Sequence, residues 1–398
     1  MKAKKNQASI LIVLLSLIML LTCKQQKAEW EGTIEEVDGV MVVKNPKEPP
    51  FGEEPLSLAE ELSIGEAEGR KEYMFSRVSD VEADDTGRIF VSDSKEANVK
   101  VFDQNGDYIR TIGRKGQGPG ELQMPNDIYI DTKGRLYISD VWNERLSVFN
   151  RQGDFVGSSN FEEYSVGKIV GVNNQDEIIL IMNKTSKESG RDFIVFDYLV
   201  NVYSPQFKFK KSLYSTTIPI MQHFTKQGSR LALSIPFQKT LCCAMDSKGN
   251  AYLADSQEYK IQVFSPDGKL IRQIEKEHER RKVSKQDVED YYNEHFFQED
   301  ESERKFWSDT VKEQSKIPEY KPVFHKFFFD QEKLLVLEDA RDNEKNTSVD
   351  IFDSEGKYIG RTLINVLPKT WLDNKIYTVE EDEEGYQVVK RYKIIWKI

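Results

Sequence analysis

Histidine and cysteine are almost missing from this 398-residue chain, which has four of the first and three of the second. No His-x-His or His-x-x-x-His pair occurs, so a zinc centre has little support. A basic excess is missing too. With 56 Lys and Arg against 67 Asp and Glu, the formal net charge is −11, a sign that nucleic acid and anionic headgroups repel. The apolar run Ile10–Leu21, broken only by Ser16, falls short of the roughly 20 residues that a membrane-spanning helix needs. Glycine is absent from the strongly charged stretch 275–317, in contrast to its regular use elsewhere.

What is present begins with that apolar run. Lys2, Lys4 and Lys5 precede it and Leu20-Leu21-Thr22-Cys23 ends it, as in an export signal spanning residues 1–22. The ending resembles a bacterial lipobox, although Thr22 stands where Gly, Ala or Ser is usual. The resemblance implies cleavage before Cys23, a lipid on its thiol, and a linker of residues 23–29 leading to the fold. An ordinary secretory signal cleaved nearby is the alternative. Either way the expected location is the cell envelope, periplasmic or at the outer-membrane surface. Removal of the three lysines leaves the chain still more acidic.

The body of the chain repeats itself. Asp84-Asp-Thr-Gly-Arg-Ile-Phe-Val-Ser-Asp93 recurs 47 residues later as Asp131-Thr-Lys-Gly-Arg-Leu-Tyr-Ile-Ser-Asp140, and again as Asp246-Ser-Lys-Gly-Asn-Ala-Tyr-Leu-Ala-Asp255. Each copy leads to an aromatic strand end and a glycine turn, with Phe102, Phe149 and Phe264 followed by Gly106, Gly153 and Gly268. Phe352 and Gly356 give a fourth such turn. Short strands with a period in the 40s mean propeller blades. The glycines fit turns that need positive φ, the aspartates fit turn amides, and the phenylalanines fit packing between blades.

Counting blades gives an all-β, six-bladed β-propeller over residues 30–398, built from four-stranded antiparallel blades. Blades one, two and four carry the full signature; blade three keeps strand alternation without the glycines and is followed by a loop, 212–229. Residues 275–317 form a helical insertion between blades four and five, opened by the capping box Ser284-Lys-Gln-Asp287. The segment after Trp371 offers only two strong strands. The hairpin with Asp38-Gly39 at its tip, strands 32–44, is therefore expected to complete the last blade and leave no open edge. Residues 53–68 read as a helical or irregular connection.

Pro125-Asn-Asp-Ile-Tyr-Ile-Asp-Thr-Lys-Gly-Arg-Leu-Tyr-Ile-Ser-Asp-Val-Trp-Asn-Glu-Arg-Leu-Ser-Val-Phe149 resembles the NHL-repeat family of six-bladed propellers, in its bacterial envelope lipoprotein branch. That resemblance implies a fold and an envelope location, with no settled activity. Other six-bladed scaffolds of this type include gluconolactonase-type hydrolases, paraoxonase-like esterases and a peptidyl-hydroxyglycine lyase, whose chemistry uses central acidic or His ligands to a divalent metal.

Candidate sites follow. Asp80 and Asp127 align at the 47-residue period near the starts of innermost strands and could hold Ca²⁺ through oxygen ligands; turn capping is the plainer role. Cys242 occupies the matching place in blade four and breaks the ring. Asn126 stands beside Asp127. Tyr292, Phe296 and Trp307 of the insertion form an aromatic set that either packs down on the propeller or meets a partner. The glycine-rich stretch 113–120 lacks the Lys-Ser/Thr ending of a phosphate loop. Cys242 and Cys243 read as two packed thiols on opposite strand faces, with a vicinal disulfide as the alternative. The expected function is a monomeric binding module for a protein, peptide or glycan, without catalytic residues, cofactor or nucleic-acid partner. The alternative is a Ca²⁺-dependent hydrolase or lyase working at the channel mouth.

Overall fold

The structure is a computed structural model and describes residues 29–50, 56–161, 163–295, 301–338 and 346–396. The leader 1–22, Cys23 and Phe296 lie outside them. The chain opens with the hairpin β1 (Thr33–Val37) and β2 (Val40–Asn45), turned by Asp38 and Gly39 at φ 51° and 78°, and continues to β3 (Leu56–Ile64). Blade one is β4 (Val78–Ala83), β5 (Ile89–Asp93), β6 (Asn98–Phe102) and β7 (Tyr108–Ile112). Blade two is β8 (Pro125–Ile130), β9 (Leu136–Asp140), β10 (Arg145–Phe149) and β11 (Phe155–Asn160). Blade three is β12 (Ser165–Val172), β13 (Ile178–Thr185), β14 (Phe193–Tyr203), β15 (Phe209–Lys226) and β16 (Ser229–Ser234).

Blade four is β17 (Leu241–Met245), β18 (Ala251–Asp255), β19 (Lys260–Phe264) and β20 (Leu270–Lys276). Two helices follow, α1 (Lys285–His295) and α2 (Glu301–Gln314). Blade five is β21 (Phe324–Asp330), β22 (Lys333–Glu338), β23 (Thr347–Phe352) and β24 (Tyr358–Ile364). Blade six is β25 (Pro368–Leu372), β26 (Lys375–Glu381) and β27 (Gln387–Trp396), with β3 as its fourth strand.

The six-bladed ring is thus closed by an N-terminal strand, but not by the expected one. β3 pairs antiparallel with β27 over Leu56–Ile64, where the sequence suggested a connection. The 32–44 hairpin instead adds to the outer edge of blade four, β2 pairing parallel with β20 and making a six-stranded sheet. Asn45 fixes it there. This buried side chain donates to the carbonyls of Glu275 and Gly356, both at 3.0 Å, and accepts from Tyr358 N at 2.7 Å and Trp30 Nε1 at 2.9 Å. One amide therefore joins the hairpin to blades four and five.

The expected loop at 212–229 is also corrected. It is strand, running through β15 and turning at Gln227-Gly228 into β16, with both turn residues at positive φ (49° and 84°). That is the geometry favoured by tight hairpins. Pro219 is accommodated by a register shift opposite Ile194 and Val195.

Burial is organised as six seams instead of one centre. Phe102 packs with Tyr377 and Val389 of blade six, Phe149 with Val99 and Val101 of blade one, Phe264 with Val200 and Val202 of blade three, and Phe352 with Ile261 and Ile274 of blade four. Each aromatic strand end faces the preceding blade. The turn aspartates act as caps: Asp93 accepts from the amides of Ser76, Arg77, Lys95 and Glu96 at 2.7–3.2 Å.

A seventh cluster stands outside the blades. Phe224 and Leu233 of β15 and β16 pack on Val288 and Tyr292 of α1 and on Trp307 and Val311 of α2. The capping box forms as expected, Ser284 Oγ accepting from Asp287 N at 3.1 Å and Asp287 Oδ2 accepting from Ser284 N at 2.7 Å. Because strands alternate in direction, blade-to-blade connections lie on the face where the innermost strands start. The helices belong to that face, called here the upper face.

Candidate functional site

The innermost strands β4, β8, β12, β17, β21 and β25 surround a central channel. In five of the six, the register slips by one residue near the upper end, at Ser79, Asn126, Gly167, His325 and Lys369. Such a bulge kinks a strand and re-aims the next side chain. The re-aimed residues are Asp80, Asp127, Lys168, Lys326 and Thr370; blade four has no bulge and offers Cys242 at the same register.

Four of these, Asp80, Asp127, Lys326 and Thr370, lean on the following blade as in a pinwheel. Asp80 Oδ2 accepts from Ile128 N of blade two at 3.1 Å, and Asp127 Oδ2 accepts from Ile169 N of blade three at 2.7 Å. Lys326 donates to the carbonyls of Pro368 and Lys369 in blade six at 3.3 and 2.6 Å. Lys369 donates to Ser79 O of blade one at 3.1 Å, and Thr370 to Glu82 Oε2 at 3.1 Å. A cavity of about 180 Å³ opens among them, with Tyr129, Met245 and Phe328 on its apolar side.

The charges are segregated. Asp80, Glu82 and Asp127 belong to blades one and two; Lys168, Lys326 and Lys369 belong to blades three, five and six. Burial, reinforced by the charge of Asp80, pushes Asp127 up to about 7 and Glu82 up to about 8. Burial, with Lys168 nearby, lowers Lys326 to about 8. Burial is the largest influence on Lys168 and opposes its charge, but the combined pull of Asp127, Asp80 and the neighbouring thiols leaves that lysine raised. Perturbed groups of both signs in one cleft are what a functional site looks like.

The residues present do not suit Ca²⁺. That ion takes six to eight oxygens, whereas here two of the carboxylates each spend an oxygen on a blade-to-blade amide and all share the cavity with three lysines. Among the described residues no three His, Cys, Asp or Glu side chains converge as a metal-ligand set. The structure sets Asp80 and Asp127 in the channel mouth beside three lysines that the sequence did not single out, because a lone Lys in a strand carries no motif. The alignment of Lys168 and Lys326 with Asp80 becomes visible only through the bulges.

Residues 66–326 match the DUF5128 family, described as a 6-bladed beta-propeller. The chain belongs to that family. A search of the curated proteins finds no match for this member. Among solved structures, the propeller is similar to one described as an exported protein of Bacteroides fragilis, with 12% identity, TM-score 0.52, and coverage of 90% of this chain and 100% of that one. It is also similar to a DUF4221 family member from Bacteroides vulgatus, with 12% identity, TM-score 0.47, and coverage of 86% and 99%. A virginiamycin B lyase from Staphylococcus aureus gives 8% identity, TM-score 0.42, and coverage of 85% and 100%. At such identities the likeness is one of fold.

The remaining candidates in this propeller separate cleanly. Asn126 is exposed at the mouth, on the bulge before Asp127. Tyr292 and Trp307 are 3% and 4% exposed within the cluster of α1, α2 and the β15–β16 hairpin, so they are packing residues and not a ligand surface. Cys242 and Cys243 are free buried thiols, one in the seam with blade five and one in the seam with blade three, as opposite strand faces require. Burial raises both. No helix among the described residues is long and apolar enough to cross a membrane.

Proposed function

We propose that this propeller is a non-catalytic binding module of the cell envelope, taking a protein, peptide or glycan ligand on its upper face. The observation that carries this reading is the mouth itself: charged groups of both signs aimed into a cavity, without a nucleophile–base pair and with a donor set that does not suit a divalent metal. The charged groups can orient a ligand; they do not form a hydrolytic constellation. An NHL-type ancestry and a lipid on Cys23 belong to the same proposal. The hairpin that follows the tether docks on the outer edge of blade four, so an anchor there leaves the mouth free.

The test uses the full chain, immobilised and offered envelope extract separated into protein, peptide and glycan fractions. Wild type retains material from one fraction, and the Asp127→Asn/Lys168→Met double variant releases it. In parallel, Ca²⁺ is titrated calorimetrically into wild type and Asp127→Ala. Stoichiometric Ca²⁺ binding that the variant loses, or retention indifferent to the mouth variants, overturns the reading.

A further inference from the structure

Two clusters of mixed charge sit in this molecule, one around the buried Lys276 and Asp350 and one half-buried at the channel mouth, and they are built differently. At the seam of blades four and five every charge is met. Asp350 accepts from Tyr259 and Tyr358 hydroxyls at 2.6 and 2.7 Å and from Arg361 Nε at 3.0 Å, and it is ion-paired with Lys276. Lys276 and Arg361 also reach Glu338, at 3.0 and 3.1 Å. A cavity of about 450 Å³ lies above, but its deepest charges are already spent on one another.

At the channel mouth three acids and three bases do not meet. None of the Lys168, Lys326 or Lys369 ammonium groups lies within 4.0 Å of an Asp80, Glu82 or Asp127 oxygen. Each carboxylate has one oxygen engaged and, among the described residues, one without a hydrogen-bond partner. Among the described residues Lys168 Nζ has no hydrogen-bond partner. Keeping charges apart in a poorly solvated cleft costs free energy that direct pairing would recover. Bonds to a neighbouring blade hold all of them but Lys168 in place.

We propose that the mouth binds a small zwitterion of the α-amino acid class, its ammonium set against Asp80 and Asp127 and its carboxylate against Lys168 and Lys326. A lone cation or a lone anion satisfies only one half of the site; a zwitterion satisfies both and leaves the sum of charges unchanged. The cavity is smaller than the roughly 300–1,000 Å³ that drug-sized ligands need, which fits a ligand of amino-acid size. Tyr129, Met245 and Phe328 offer its side chain an apolar wall. The inference rests on the upper face being the binding face, and it selects amino-acid and peptide chemistry over glycan.

The experiment is calorimetric titration of the full chain with L-leucine, N-acetyl-L-leucine and L-leucinamide, after a thermal-shift screen of the twenty amino acids. The zwitterion binds, and each capped form, lacking one charge, binds at least 10-fold more weakly. Lys168→Met abolishes the preference for the free acid over the amide, and Asp127→Asn abolishes the preference for the free amine over the acetylated form. Circular dichroism confirms that both variants remain folded. Absence of a shift with any amino acid, or capped forms that bind wild type equally well, overturns the proposal. If envelope material is still retained in that case, only the zwitterion inference fails; if retention is also lost, the binding-face reading fails with it.

Discussion

At the residue scale, the same side-chain type does opposite jobs according to where the backbone puts it. Asp93 spends its carboxylate on four amides and is a cap. Asp80, thirteen residues earlier, gives one oxygen to the next blade and holds the other in the channel. Recurrence in the sequence marked both without distinguishing them, because the bulge that separates cap from site leaves no residue signature. The half-buried mouth acids also predict a pH effect. Glu82 faces Asp80 on its own strand, Thr370 across the last seam, and Asp127 and Lys326 across the mouth; burial and Asp80 raise it to about 8. A carboxyl raised on folding contributes its stability below its unfolded pKa, near 4.3, and loses it as pH climbs through the folded value. Glu82→Gln keeps an acceptor for Thr370 and cannot ionise. Its stability should match wild type near pH 4.5 and exceed it by about 1–3 kcal/mol at pH 8. Urea unfolding at both pH values checks this, and parallel curves would sink it.

At the element scale, the lesson lies in two N-terminal pieces of similar size. Asp38-Gly39 made the hairpin legible, but its destination depends on Asn45, a single amide whose four partners lie as far as 313 positions away. No local pattern announces that. β3 was unreadable for another reason. Its pairing with β27 shifts register between Glu60 and Leu62, so Leu58 and Leu62 stand four apart in a segment rich in helix formers, Ala59-Glu60-Glu61. Period-2 alternation broken by a bulge imitates helical spacing. The blades with intact repeats needed no such help, which is why the six-bladed ring was legible and its closing strand was not. For the hairpin, Asn45→Ala should cost about 2–4 kcal/mol, since it strands buried donors and acceptors in two blades. Hydrogen exchange should then rise across β1 and β2 while blades one and two keep their protection. Uniform loss of protection would show that the hairpin is integral to the ring instead of added to it.

At the scale of the whole molecule, closure by β3 ties an N-terminal strand to the last strand, β27. Its Leu62 and Ile64 pack in the seam between blades six and one, and its Leu56 and Leu58 in the seam between blades five and six. With Ile64 fully buried at about 1.5–3 kcal/mol and the three partly buried leucines at roughly half that each, the strand's packing amounts to about 4–8 kcal/mol, comparable to the 5–15 kcal/mol that holds a typical domain together. The hairpin has no such leverage, for β1 is exposed along its whole length and touches no seam. Two truncations therefore part company. A chain beginning at residue 51 loses the hairpin and Asn45 and should still unfold in one cooperative transition, at a lower midpoint. A chain beginning at residue 66 loses β3, leaves blade six with an open edge and two seams unfilled, and should fail to fold cooperatively. Adding a peptide of residues 53–66 should restore the transition in the second case, because the missing strand contributes packing and ladder bonds that need no covalent link. Equal behaviour of the two truncations would mean that the ring does not depend on its clasp, and that each seam is stable by itself.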